Sequence, residues 1–431
     1  MFPNPQDALP LPPRLNLEQY KKRAKDLLKA CRSKDPQAIL DWSTHWINDL
    51  VKLSDLKITP QLPVEIERWI NDLTEFARRK MSAPCALTDA QFVIARAHGF
   101  ESWPKLTKHF EAVTRTDSTE SAFEQAAEAI ITGDASTLQA LLRKNPDLVR
   151  ARSTREHQAT LLHYVSANGI EGYRQKTPPN ALEIAKILLQ AGAEVNATAS
   201  VYRSECTTLH LAATSLHPEQ AGVQEGLMQL LLDYGASIDA TIVNACLANG
   251  RGPAAEFLAQ RGAPLDLEAA AGVGRLDVVK AFFDDKGRLK PPATQLQRDR
   301  AFLFASQYGR DPVVEFLIQQ GVPIATQANT RQTALHWAVI GGHLDTVKLL
   351  IEKGAPLESR NTYGGTPLGQ ALWSATHGDP RIDYVAILDA LINSGSELEE
   401  GTLQWLARQK SIAPNKRKSL EEVLRRNGAK S

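Results

Sequence analysis

TALHWAVIGGHLDTVKLLIEKGAPLES, residues 333–359, decides the fold because its pattern serves packing and not chemistry. Thr333 stands where a helix N-cap would, Leu335, Ala338 and Val339 form an apolar stripe, and Gly342 offers a left-handed stop. A second helix follows from Leu344, with Val347, Leu350 and Ile351 at helical spacing until Gly354, and Pro356 prevents continuation. The unit is a hairpin of two short helices. Helices this short are marginal alone, since nucleation is costly and one narrow apolar stripe does not offset the entropy of ordering them. Such a unit requires neighbours of its own kind.

Copies are found by following the ending, an apolar pair, a few residues and a glycine. LLQAGAEVNA, LLDYGASIDA, LAQRGAPLDL, LIQQGVPIAT, LIEKGAPLES and LINSGSELEE repeat it, with weaker versions in FFDDKGRLKP and LRRNGAKS. The glycines fall at 192, 235, 262, 287, 321, 354, 395 and 428, a mean spacing of about 34 residues, and a period near 33 belongs to stacked repeats. TALHWA, TTLHLAA, TLLHYV and TPLGQAL stand at the start of the unit. On these residues the chain resembles the ankyrin repeat family, over roughly residues 120–428. The resemblance implies an all-α fold, an ankyrin-type helical solenoid with some short β-hairpin fingers, and non-catalytic protein binding on a concave face.

Departures from the pattern shape the expectation. After Gly235, Gly262 and Gly395 the chain enters the next helix directly (TIVNACLANG, LDLEAAAGVGR, GTLQWLARQ), so those repeats should lack a finger. Elsewhere the hairpin is long, with 32 residues from Thr160 to Gly192 against 21 from Thr333 to Gly354. The extra residues fall between the helices, in NGIEGYRQKTPPN, SLHPEQAGVQ and SATHGDPRID, where insertions often mark a second working surface.

The expected organisation is a flexible leader over residues 1–15, a helical N-terminal domain over 16–118, an array of about eight units over 119–399 and a capping helix pair over 400–431. In the N-terminal domain Asn16 can cap a helix with Leu17, Tyr20, Ala24, Leu27, Leu28 and Cys31 on one face and lysines mostly on the other. Asp35 and Pro36 restart a helix carrying Trp42, Trp46 and Leu50, and another should run from about Val64 to Arg79. This domain is similar to the helical leader found ahead of some bacterial ankyrin proteins. Residues 87–110 read as two helices joined at Gly99, which also describes a helix-turn-helix. A base-reading helix would present Arg, Asn or Gln, whereas KLTKHFEAV offers Lys105, Lys108 and His109, with Trp103 and Phe110 fitting a core.

Composition bounds the remaining classes. A chain of 431 residues with net charge +1 has no bulk attraction to nucleic acid or membrane. The charge is uneven: Arg14–Lys34 and residues 407–431 are basic and the stretch between is mildly acidic. The four cysteines show neither zinc spacing nor a redox pair, so reduced, mostly buried thiols are expected. No apolar run approaches the roughly 18 residues of a membrane span, and the start shows no secretory pattern, so a cytoplasmic location is expected. The expected state is a monomer without cofactor or metal.

His163, His210 and His336 follow Leu at one place in the repeat, which points to a shared hydrogen bond to the turn; Gly369 replaces the histidine at the fourth. No phosphate loop or nucleophile elbow is present, and carboxylate pairs sit at repeat ends, so the chain is read as no enzyme. By resemblance to the ankyrin pattern, partner-binding residues are Tyr202, Arg203, Asn329, Arg331, Arg360, Thr362 and Tyr363 on the fingers and Ile340 and Trp373 on inner helices. Tyr, Trp and Arg are favoured interface anchors, although Trp373 could instead cover the last repeat against the C-terminal helices. Tyr173 and Arg174, in the longest insertion, form a second candidate patch. The expected function is that of an adaptor or sequestering module for a protein partner. The alternatives are a nucleic-acid-associated regulator using residues 87–110 and a hydrolase in the long-loop region.

Overall fold

A computed structural model describes residues 4–33, 35–53, 62–81, 84–115, 117–409 and 412–429. Helix makes up 61% and strand 3%, so the all-α class holds. The chain divides into two units, Met1–Ile238 and Asp239–Ser431.

The first unit begins with five helices, Leu17–Arg32, Ala38–Leu53, Leu62–Lys80, Leu87–Ala97 and Trp103–Val113. The Asn16 side chain accepts hydrogen bonds from the Glu18 and Gln19 amides, which fixes the start of the first helix. Tyr20, Leu27, Trp46, Leu73, Ile94 and Phe110 meet in one buried cluster. The proline-rich segment read as a loose leader is held to it: Leu9 is buried, and its amide donates to the Ala97 carbonyl at 2.7 Å. An apolar residue in a leader can bury itself wherever a helix end leaves a carbonyl free.

The cysteine reading needs correction. Cys31 and Cys85 form a disulfide, with Cα atoms 6.3 Å apart, while Cys206 and Cys246 are free and buried. Their separation of 54 residues hides the pairing, because only the tertiary path brings the end of the first helix beside the start of the fourth.

Helix pairs follow at Thr119–Thr132 with Ala135–Lys144, Leu161–Tyr164 with Ala181–Gln190, and Thr208–Thr214 with Gln224–Asp233. A hairpin finger, Thr198–Val201 against Ser204–Thr207, precedes the last pair. Its two-residue tip, Tyr202 and Arg203, has φ of 53° and 63°, the left-handed pair that a tight hairpin with right-handed strand twist requires.

The second unit stacks six pairs, from Ile242–Ala248 with Gly252–Gln260 to Thr402–Arg408 with Pro414–Arg426. A continuous apolar core runs from Leu267 to Leu424. As expected, helices follow Gly235, Gly262 and Gly395 without a paired finger. One expected insertion is shorter than read: Ser374–His377 form the last turn of the helix Pro367–His377.

Successive repeats are joined by the recurring Thr and His. Thr333 donates its amide to His336 Nδ1 at 3.2 Å, and His336 Nε2 lies 3.1 Å from the Gly365 carbonyl in the next repeat. Since Nδ1 accepts, the proton resides on Nε2 and is donated onward. In the first unit Thr160 and His163 repeat the bracket, ending on the Cys206 carbonyl at 3.3 Å. The ring must be neutral for this to work. Burial lowers both histidines, His163 to about 4.

These brackets predict acid sensitivity. The unfolded chain, with histidines near 6.5, binds protons that the folded chain excludes. Their contribution is therefore complete above pH 6.5 and is lost as the pH falls through the lowered folded values, for His163 toward 4. His336→Ala should lower stability by about 2–4 kcal/mol, through the unpaired Gly365 carbonyl and the void left behind. Urea unfolding between pH 4 and pH 8 checks both effects, and an unchanged midpoint for the variant would remove the bracket from the account.

Candidate functional site

In the second unit two fingers lie side by side, joined by the Thr362 amide donating to the Thr330 carbonyl at 2.9 Å. Buried Asn361 organises the second finger, its side-chain oxygen accepting from the Tyr363 and Gly365 amides at 2.9 and 3.0 Å. This Asx turn uses Gly364 at φ 82° and turns Tyr363 out to 82% exposure. Arg360 Nη1 donates to the Gly364 carbonyl, and its other terminal nitrogen pairs with Glu399 at 2.8 Å.

Thr366 caps the following helix by accepting from the Gly369 amide at 3.1 Å. Gly369 has no ring to send into the next repeat, and a Cβ there would meet only the Thr366 hydroxyl, at 3.6 Å. The next repeat has no finger to take up the space. A cavity of about 760 Å3 results, lined by Ile340, Tyr363, Gly369, Trp373, Glu399, Glu400 and Trp405 among others. Trp373 is 52% exposed and stacks on His377 of its own helix, with ring centroids 4.9 Å apart. That is not the covering role against the C-terminal helices weighed from the sequence. Trp405, on the helix Thr402–Arg408, is half-buried against the core.

The structure thus brings Ile340, Tyr363 and Trp373 into one cavity, with Arg360 and Thr362 on the adjoining finger. Asn329 and Arg331 are exposed on the neighbouring finger, where Arg331 has φ of 58°. Tyr202 and Arg203 belong to the first unit. Tyr202, 46% exposed, donates its hydroxyl hydrogen to Asn168 Oδ1 at 2.7 Å. Sequence reasoning placed Trp405 in the capping helices and read Glu399 and Glu400 as a carboxylate pair at a repeat end, and so did not join them to Tyr363 and Trp373. The signal was Gly369 in place of histidine, followed by a repeat without a finger.

Of the second candidate patch, Tyr173 is half-buried and Arg174 lies inside the structure. Arg174 is 7% exposed and donates to Glu124 at 2.7 Å, while Arg155 donates to Glu124 at 2.7 Å and forms an ion pair with Glu171 at 2.7 Å. Burial opposes charge on Glu124, but Arg155 and Arg174 outweigh it and hold the carboxyl at about 2. The same contest lowers Glu171 well below its ordinary value. Two buried cations facing two carboxylates form a neutral staple that ties the insertion to the first repeat helix. An arginine in an insertion reads as solvated because its acidic partners are remote in sequence.

Residues 87–110 form the helices Leu87–Ala97 and Trp103–Val113. Leu106, His109 and Phe110 are buried. Lys105 pairs with Glu101 at 3.2 Å, and the helix Trp103–Val113 contains no Arg, Asn or Gln for base edges. Among the described residues no cluster of His, Cys, Asp and Glu could hold a metal ion, and no helix is long and apolar enough to cross a membrane.

Helix pairs joined by recurring turns and interleaved with fingers define a helical repeat protein. Residues 301–400 match the family model for ankyrin repeats in three copies. The chain carries ankyrin repeats. It is 30% identical over 141 residues to the probable 26S proteasome regulatory subunit p28 of Saccharomyces cerevisiae, covering 31% of this chain and 60% of that protein. It is 31% identical over 193 residues to the ankyrin repeat and KH domain-containing protein mask-1 of Caenorhabditis elegans, covering 42% of this chain and 7% of that protein. The chain therefore spans less than two thirds of either relative. The human ASB11 ankyrin repeat domain aligns with 64% of this chain and 99% of its own, at 18% identity and a TM-score of 0.32.

The staple yields a stability prediction. Glu171→Ala leaves Arg155 and Arg174 buried and short of a carboxylate, and should cost about 3–5 kcal/mol. Chemical denaturation measures it, and a loss under about 1 kcal/mol, the scale of a surface pair, would show that the staple is not structural.

Proposed function

We propose that the protein is a non-catalytic interaction module, an adaptor or sequestering protein, that holds a protein partner in the groove formed by Tyr363, Trp373 and Trp405. The observation that carries this reading is the exposure of two large aromatic side chains, Tyr363 and Trp373, over an open cavity. Folding leaves such groups in solvent at a cost, and aromatic residues beside a pocket are the usual anchors of an interface. Ankyrin repeats generally serve as interaction modules, and a relative named as a regulatory subunit fits that use. A preformed groove also lowers the entropic cost of association, since stacked repeats fix its walls before the partner arrives.

The test compares wild type with Tyr363→Ala/Trp373→Ala as baits in the same native lysate, after thermal unfolding shows equal stability. A partner retained by wild type should fall at least roughly tenfold on the variant, the scale of losing hot-spot aromatics. Equal retention of the same proteins by both baits would place binding outside the groove.

A further inference from the structure

Resting on the groove reading, we infer that the groove receives a Lys or Arg side chain from an extended protein segment. The lining residues decide the chemistry. Among the described residues, the charged side chains on the cavity wall are Glu399 and Glu400, and none is cationic. Beside them stand Tyr363, Trp373 and Trp405. Aromatic faces carry negative potential and attract ammonium and guanidinium groups, so the rings and the carboxylates favour one sign of charge.

The rim already shows this preference within the chain. Arg360 sends its guanidinium to Glu399, and its own carbonyl contact at Gly364 ties it to the finger. Glu400 has no ion pair among the described residues and remains exposed, available to an incoming cation. The aliphatic stem of Lys or Arg would lie along the aromatic walls while its head meets the carboxylate. An acidic or purely apolar segment would face Glu400 with no compensation. The cavity, about 760 Å3, is in the roughly 300–1,000 Å3 range of built ligand sites, so it admits neighbouring residues of the segment as well.

The origin of the cavity supplies the decisive variant. At the equivalent positions His163 and His336 reach into the next repeat, and Gly369 does not. Gly369→His restores the histidine that stands at positions 163, 210 and 336, and its Cβ meets only an ordinary contact with Thr366. It should fill the groove while leaving the fold intact.

The experiment measures fluorescence anisotropy of labelled peptides of about 12 residues with identical Gly/Ser/Thr/Phe flanks and a central Lys-Arg, Leu-Leu or Glu-Glu pair. The full-length protein is used as wild type, Gly369→His and Glu400→Gln. The expected result is roughly tenfold tighter binding of the Lys-Arg peptide than of the Leu-Leu peptide, weakened by added salt, with each variant reducing it by roughly fivefold. Leu-Leu binding as tight as Lys-Arg, Lys-Arg binding indifferent to both variants, or no binding of any peptide overturns the inference. If Gly369→His proves unfolded, Glu400→Gln alone decides the charge assignment. The broader groove reading fails on a separate result, partner capture that ignores Tyr363 and Trp373.

Discussion

The constraint on which the rest depends is the hydrogen bond from a buried, neutral histidine to a carbonyl of the next repeat. Short helices do not persist singly, and apolar contact between them is tolerant of sliding. The bond is directional. Thr333 orients the His336 ring by donating to Nδ1, and the opposite nitrogen then has one place to put its proton, the Gly365 carbonyl. That carbonyl belongs to the finger shaped by Asn361, so the bracket sets where Tyr363 emerges. Packing, turn geometry and the exposed aromatic are therefore one chain of causes.

The groove arises where that pattern is interrupted. Gly369 keeps the Thr366 cap and gives up the ring, and the fingerless repeat after Gly395 leaves the opening unfilled. Natural repeats can discard a stabilising contact when the neighbouring interfaces carry enough stability. The vacated volume gains a lining of aromatic rings and carboxylates without any new secondary structure.

Much of this was legible in the sequence because it is local. Thr333, His336, Gly342 and Gly354 announce their roles by spacing, and the missing fingers follow from chain too short to build them. Tyr363 and Trp373 were found as residues that packing does not demand. What escaped depends on contacts remote in sequence. Cys31 meets Cys85 across 54 residues, Arg174 is drawn inside by Glu124, and Trp405 joins Tyr363 because an intervening side chain is absent. A sequence states which side chains are present; the space left by a missing one has to be seen in three dimensions.

The central claim is best tested by the 15N NMR signals of the His336 imidazole at neutral pH, assigned with a His336→Gln variant. The account predicts an unprotonated Nδ1 and a protonated Nε2, a neutral ring whose titration lies below that of a solvated histidine. A proton on Nδ1, or a ring that titrates like a solvated histidine near 6.5, would contradict it, because the bracket between repeats could not then form.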